Sequence, residues 1–582
     1  MTSHDIEKGV AFQQRNRGFR SLWFLVLVLI GIGIHMRSEI QQLLPATGYA
    51  KLDAIFTPYC RDYDAVAPKV GAHYFSKIET MLHDDSFKNA TAEKLAGAVR
   101  IPTQIGDDVP NPKEDPDFFA KFFELHEYLK QTYPLVHENL KLEKVNDVAL
   151  LYTWEGSDQE LKPAMFMAHQ DVVLVNEDTI DQWTYPPYSG YFDGEKVWGR
   201  GSSDCKTLLT AELVAIEELI RDGFTPRRTI LLAFGFDEES SGEKGALELS
   251  KFIEKRYGAD SIFSILDEGM GVFEIEKDLF VATPVVREKG FLNVQIDIQG
   301  PGGHSSLPPS HTNVGILSEL VYRLENDPFE YNIENTHPFM SFFQCVADHS
   351  KSLNPTFRKS IKKAPFSEKY KKEFIGFVEA TDPMMAFTFK TSQAIDVLNS
   401  GIKVNALPET GRLLINYRID FSSNVDEVIN KIKKHACVVA EKYTYSVDVA
   451  GEAVLSPQQA VGSLNILPLT PRNPSPASPD YRDDDVVWEL LATTVKDFFQ
   501  NRVFVENNST QVYLAPGTMT PNTDTRHMWN LTNHIYRFQG AVLPKDGLKV
   551  AHSVNEYGLM STVLQSAAFM YEYILGADAL DS

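Results

Sequence analysis

KPAMFMAHQDVV, residues 162–173, carries an apolar run from Pro163 to Ala168 straight into His169-Gln170-Asp171. A short run with no polar face suits a strand buried on both sides, as in a largely parallel sheet. Two later runs have the same form. Residues 229–236 lead into Asp237-Glu238-Glu239, and residues 261–266 lead into Asp267-Glu268-Gly269. Between the first two, residues 207–221 read as an amphipathic helix closed by Gly223. Strand, helix and strand, with polar chemistry at each strand's carboxyl end, is an α/β pattern whose ligands gather in the crevice beyond those ends.

Outward from this centre the pattern changes at Phe291. FLNVQIDI sets Leu292, Val294, Ile296 and Ile298 on one face and Asn293, Gln295 and Asp297 on the other. That alternation belongs to a sheet with one wet face. Further strands are expected at 385–390, 412–419 and 443–449, and helices near 314–324 and 425–441. Residues 288–450 thus read as an inserted α+β domain, which a long stretch at about 326–383 would reshape. The proline-rich segment 467–479 reads as a linker. Residues 116–287 and 451–582 are the two parts of a catalytic domain, the second including that linker, and 37–115 a polar N-terminal segment.

The chain has 582 residues, 43% apolar and 23% charged, enough for at least two domains with a sizeable core. Its 79 acidic and 56 basic side chains give a formal charge of -23, which opposes nucleic acid and anionic lipid as partners of the main body. An anionic substrate therefore needs local basic groups. Cys60, Cys205, Cys345 and Cys437 lack CxxC or CxxH spacing, so they form neither a zinc finger nor a disulfide scaffold. One or two bridges stay open, unpaired by sequence. N-x-S/T triplets start at Asn89, Asn507, Asn508 and Asn530, as in a glycoprotein.

Residues 22–34 are unbroken by any charge and follow Lys8, Arg15, Arg17 and Arg20, a flank that should stay cytosolic. The sixteen residues between Arg20 and Arg37 carry no charge and would span about 24 Å as a helix. Snorkelling arginines would cover the shortfall. A cleaved signal peptide is the rival, but no convincing A-x-A site follows closely. The expectation is a cytosolic tail 1–20, a signal anchor 21–36 and a lumenal body, making a single-pass type II membrane protein. Lys8 suits either a sorting signal or plain positive-inside charge.

His169, Glu238, Glu239, Asp267 and Glu268 should converge beyond the strand ends, with Asp171 beside them. Asp204, in Gly201-Ser202-Ser203-Asp204, stands just before the helix, and His552, in His552-Ser553-Val554-Asn555-Glu556, offers a late imidazole. Singly, each has a commoner explanation. An H-x-D pair is usually structural, paired glutamates are usually a solvated face, and an Asp before a helix is usually its N-cap. Their order along successive strand ends is much harder to obtain by accident. Two histidines with several carboxylates suit zinc or a similar ion, and Cys205 reads as a small buried residue.

MAHQDVV, WGRGSSDCK, FDEESSGEKGA, LDEG, GPGGHSS and HSVNE stand in the order of a known family. The chain resembles, from about residue 120 to its end, the two-zinc exopeptidases and deacylases that include carboxypeptidase S, glutamate carboxypeptidase, aminoacylase and acetylornithine deacetylase. The carboxypeptidase S branch is nearest in pattern, sharing S-P-x-S-P at 475–479 and Thr523-Asp524-Thr525-Arg526-His527. The resemblance implies an α/β, di-zinc exopeptidase-type catalytic domain with a mixed, largely parallel sheet, plus an inserted α+β lid or dimerisation domain. It implies two Zn²⁺ per subunit. Asp204 would bridge them, with His169 and Asp267 completing one site and Glu239 and His552 the other; some relatives use the position of Glu268 in place of Asp267. Glu238 would be the general base and Asp171 the carboxylate that orients His169. His304 would donate to the developing oxyanion, in some relatives from a partner subunit of a homodimer, and Asn405 and Arg418 would receive the substrate carboxylate.

The expected activity is that of a membrane-anchored zinc metallo-carboxypeptidase removing C-terminal residues from short peptides in a vacuole- or lysosome-like compartment. The nearest rival keeps the site and acts on N-acyl amino acids, as hydrolase or synthase, according to the shape of the lid pocket. A non-catalytic, metal-containing ectodomain is the rival of another class. The intact Glu238 opposes it, since a binding module has no use for a positioned base.

Overall fold

Strands without a polar face need cover on both sides, and the chain supplies it. In the computed structural model, which describes residues 60–507, 509–545 and 547–581, Ala164–His169 and Ile230–Gly235 are buried at every position. They pair in parallel with Ala164 opposite Ile230, and on its other edge Ala164–His169 pairs in parallel with Ser264–Glu276. These three strands are the centre of a ten-stranded mixed sheet. Ile535–Val542 returns from the C-terminal part of the chain to lie parallel to Ser264–Glu276, so one sheet is completed by two distant segments.

The helix Lys206–Arg221 is buried along nearly its whole length rather than along one face. The helix Met560–Asp578 packs on it, and so does Asp85–Val99. The reading of 37–115 as merely polar is corrected accordingly. Ala72–His83 and Asp85–Val99 are helices, and the buried small residues Ala92, Ala96 and Ala98 let the second approach closely.

Gly290–Gln299 belongs to a second sheet of six strands, in the order Ser392–Ser400, Thr410–Ile419, Gly290–Gln299, Gly462–Arg472, Tyr445–Val449, Glu452–Leu455. Leu292, Val294, Ile296 and Ile298 are buried in one core with residues of the helices Asn313–Glu325 and Val425–Tyr443, and the residues between them are partly open. Leu464 and Ile466 share that core, so the boundary expected at 450 and the linker expected from 467 both fall inside the sheet. The chain enters and leaves this sheet side by side. Phe291 stands opposite Arg472, and a Cβ on Gly290 would lie 2.7 Å from the Arg472 carbonyl oxygen. Beyond the exit, the amides of Ser475 and Ser478 donate to the carbonyls of Glu288 and Val286, which straps residues 475–478 along Val285–Glu288.

Residues 326–383 do not enlarge the lid sheet. The helices Pro338–His349, Pro355–Lys363 and Glu368–Thr381 share a core with Leu279, Val281, Tyr513 and Ala515 of the ten-stranded sheet, and a Cys60–Cys345 disulfide ties the first helix to the start of the described chain. The strand expected at 385–390 is instead a helix, Pro383–Ala386, running into the 3₁₀ turn Phe387–Phe389. Asp382 accepts from the amides of Met384 and Met385 and Pro383 takes the first helical position, which starts a helix there whatever the alternation suggests.

Among the described residues no helix is long and apolar enough to cross a membrane. The expected tail 1–20, with Lys8, and the expected span 21–36 lie outside the described residues. The placement as a single-pass type II membrane protein with a lumenal body is corrected on that finding.

Candidate active site

The strand Ala164–His169 delivers His169, almost fully buried, to the sheet's carboxyl edge. Its Nδ1 lies 3.0 Å from the Asp171 carbonyl oxygen and 3.4 Å from Asp171 Oδ1. Two acceptors on that side keep a proton on Nδ1 and leave Nε2 facing the crevice. Asp171 is itself held, since its Oδ2 accepts from the Glu239 amide at 3.0 Å. Behind the strand, Gln170 accepts from His126 at 2.7 Å and donates to the carbonyls of Val148 and Phe234.

Asp204 sits between two histidines. Its Oδ1 is 3.1 Å from His169 Nε2 and its Oδ2 is 3.2 Å from His552 Nε2. His552 Nε2 is also 3.1 Å from Glu239 Oε1, and His169 Nε2 is 3.7 Å from Glu268 Oε1. Two donor groups result, His169–Asp204–Cys205–Glu268 and Asp204–Glu239–His552, with the donor atoms of each within 4.8 Å of one another. Asp204 belongs to both. Its loop is held by Glu556, fully buried, which accepts from the amides of Gly201 and Ser203 at 2.9 Å and of Asp204 at 3.3 Å and pairs with Arg200 at 2.5 Å. The Asp204–Cys205 peptide is cis.

Glu268, not Asp267, enters the first group. The apolar run was expected to end before Asp267, but the strand Ser264–Glu276 continues through both residues, and neighbours on a strand point to opposite faces. Asp267 is buried on the other side, opposite Arg537 in register. Cys205 joins the group as a thiol that burial, then the charge of Glu268, hold well above its usual range and so protonated.

Glu238 opens the short turn Glu238–Ser240 after the strand Ile230–Gly235, and Arg526 Nη2 donates to its Oε1. Asp237 turns the same loop by accepting from the amides of Lys244 and Gly245 at 2.8 Å. Crowding sets the electrostatics. Burial pushes Glu239 up to about 7 against the His552 hydrogen bond, and burial followed by repulsion from Asp204 pushes Glu268 well up. For Asp204 burial acts upward, but the hydrogen bonds to His169 and His552 outweigh it and leave the carboxyl low. Those to Asp204 and Glu239 push His552 up to about 10. Carboxylates that raise one another in a buried space are short of positive charge.

The lid residues divide. Arg418, half-buried on Thr410–Ile419, lies 4.7 Å over the Phe291 ring and feels the charges of Arg526 and Glu238. His304 and Asn405 are exposed at the lid tip, where Gly303–His304 pairs with Ala406–Leu407. His304 Nδ1 lies 2.6 Å from Ser306 Oγ, and among the described residues no contact joins it to the donor groups. Sequence reasoning named no role for Glu556 or Arg526. Both lie in segments quoted for the resemblance, HSVNE and TDTRH, and a buried charge in such a segment was the signal available.

The profile of peptidase family M20/M25/M40 matches residues 165–576. Carboxypeptidase S of Saccharomyces cerevisiae is 44% identical over 572 residues, 97% of each chain. The N-fatty-acyl-amino acid synthase/hydrolase of Mus musculus is 32% identical, over 86% of this chain and 90% of that one. Among solved structures, the M20 family metallo-carboxypeptidase Sso-CP2 from Sulfolobus solfataricus superposes with a TM-score of 0.53 at 17% identity, covering 84% of this chain and 99% of the other. The di-peptidase Dug1p from Saccharomyces cerevisiae does so with a TM-score of 0.54 at 14% identity, covering 88% and 100%.

Proposed function

We propose, from the premise that the chain belongs to peptidase family M20/M25/M40, that it is a metal-dependent carboxypeptidase releasing the C-terminal residue of short peptides. The observation that carries this reading is the pair of donor groups sharing Asp204, with Glu238 beside them. The donor set fits two zinc-like ions. It offers imidazole nitrogens and carboxylate oxygens, and its acids lack compensating charge. His169, Asp204 and Glu268 would hold one ion and Asp204, Glu239 and His552 the other. Such ions supply Lewis acidity, which lowers the pKa of water and polarises an amide carbonyl.

The chain's own groups do the rest. Glu238 takes the proton of the attacking water and hands it to the leaving nitrogen. Asp171 keeps His169 in the tautomer that presents Nε2, and Glu556 keeps the Asp204 loop in place. Arg418, on the lid strand within range of the charges of Arg526 and Glu238, would meet the terminal carboxylate of the substrate. His304 and Asn405, at the lid tip, would serve the crevice of a second copy.

Hydrolysis of benzyloxycarbonyl-Gly-Leu, with and without a chelator, tests the reading. Activity that the chelator removes and zinc restores, and that Glu238→Gln lacks, is the expected result; turnover indifferent to both would sink it. The likeness to the mouse enzyme supports a second reading, hydrolysis or synthesis of N-acyl amino acids at the same centre. A preference for N-lauroyl-leucine over the dipeptide would decide for it.

A further inference from the structure

Arg526 has no task in the mechanism above, yet it is built into the crevice. It lies in the 3₁₀ turn Asp524–His527, its Nε donates to the Thr523 carbonyl at 2.7 Å, and its side chain is only 11% exposed. Its Nη2 rests on Glu238. On the other sheet Arg418, its pKa lowered first by burial, lies close enough for the charges of Arg526 and then Glu238 to act on it. Apart from its stacking on Phe291, the Arg418 guanidinium has no hydrogen-bond acceptor or ion-pair partner among the described residues. The nearby Arg472 is already paired with Glu243 at 2.7 Å. One guanidinium thus rests on the carboxylate and a second, half-buried, stands within range of both without an anion of its own, and partly desolvated cations in that state are costly until a second anion arrives.

Building on the carboxypeptidase reading, we propose that Arg526 is a substrate-binding residue that clasps the terminal carboxylate together with Arg418, and that in the free enzyme it rests on Glu238 in the substrate's place. Guanidinium forks match carboxylate oxygens two by two, so one anion can engage a fork from each sheet. The exchange has a consequence for rate as well as for binding. A substrate that carries the carboxylate draws Arg526 away and leaves Glu238 free to accept a proton. A substrate without it leaves the ion pair closed.

The test compares benzyloxycarbonyl-Gly-Leu with its C-terminal amide on the zinc-loaded enzyme and its Arg526→Gln, Arg526→Lys and Arg418→Gln variants, each checked for folding by circular dichroism. Arg526→Gln should lower kcat/KM for the acid by about a hundredfold and raise it for the amide by about threefold, since it uncovers Glu238, erasing the preference, and Arg526→Lys should restore part of it. In parallel, calorimetry on Glu238→Gln should find that adding Arg526→Gln weakens binding of the acid about tenfold or more and leaves binding of the amide unchanged. Equal losses on acid and amide would overturn the role of Arg526 and leave the peptidase reading standing. No hydrolysis of either substrate by the wild-type protein would count against the peptidase reading, and the binding arm would still decide the matter for Arg526.

Discussion

The crevice of the ten-stranded sheet and the tip of the six-stranded sheet hold their polar residues in opposite ways. In the crevice several working side chains are held by a buried neighbour: Asp171 holds His169, Glu556 holds the loop of Asp204, and in the free enzyme Arg526 covers Glu238. At the tip His304 meets only Ser306, and its surroundings are open, with Leu307 83% exposed and Val404 99% exposed. The first arrangement is preorganised within one chain. The second has the character of a surface that becomes useful only against something else.

Five experiments would break or sharpen this contrast. The largest effect belongs to the crevice, where Glu238→Gln should lower kcat by about 10²–10⁴-fold while the protein remains folded by circular dichroism. The tip is expected to act on another copy. His304→Ala should then be impaired when alone but regain activity when mixed with Glu238→Gln, because one crevice of the mixed pair has both groups. Mixing that restores nothing would break the contrast on the side of the tip. Next, Glu268→Gln should weaken zinc retention about 10–100-fold against a competing chelator while Asp267→Asn retains it, which checks the strand-face argument.

Smaller effects should stay within their own regions. Removing the disulfide in Cys60→Ser/Cys345→Ser should cost about 2 kcal/mol of stability by chemical denaturation. Because the bridge lies on the helical insert, kcat of the folded enzyme should change by less than about twofold. His126, buried behind Gln170, has its pKa pushed down to about 4 by burial and then by Lys144. It is neutral in the folded state where the unfolded chain already binds a proton, so stability falls as pH drops from about 6.5 toward 4. Between pH 6.5 and 5 the loss is 1.5 units at about 1.36 kcal/mol each, about 2 kcal/mol in all, and His126→Gln should flatten that slope in pH-dependent unfolding.

The same contrast governs what could be read in the sequence. The parallel strands are short, apolar on both faces and closed by acids or histidine, so His169, Asp204, Glu238, Glu239 and His552 were legible as a converging set. Glu268 and Asp267 were separable only once the strand was seen to run past them, because an alternating pleat decides which neighbour faces the crevice. Glu556 works by holding other groups, and a holding role leaves no spacing to detect; Arg526 lies far in sequence from the Glu238 it covers, which spacing does not show either. The helical insert misled for a local reason, since Asp382 and Pro383 start a helix where the pattern suggests a strand.

The paired crossings at Gly290 and Arg472 have a mechanical meaning. A domain tethered by a single chain can tilt and twist in every direction. The lid sheet is held at more than one place, since the chain enters and leaves it side by side here and the insert that interrupts it at 326–383 is rooted in the core of the ten-stranded sheet. Substrate would therefore meet Arg418 on a frame that the catalytic domain itself keeps braced.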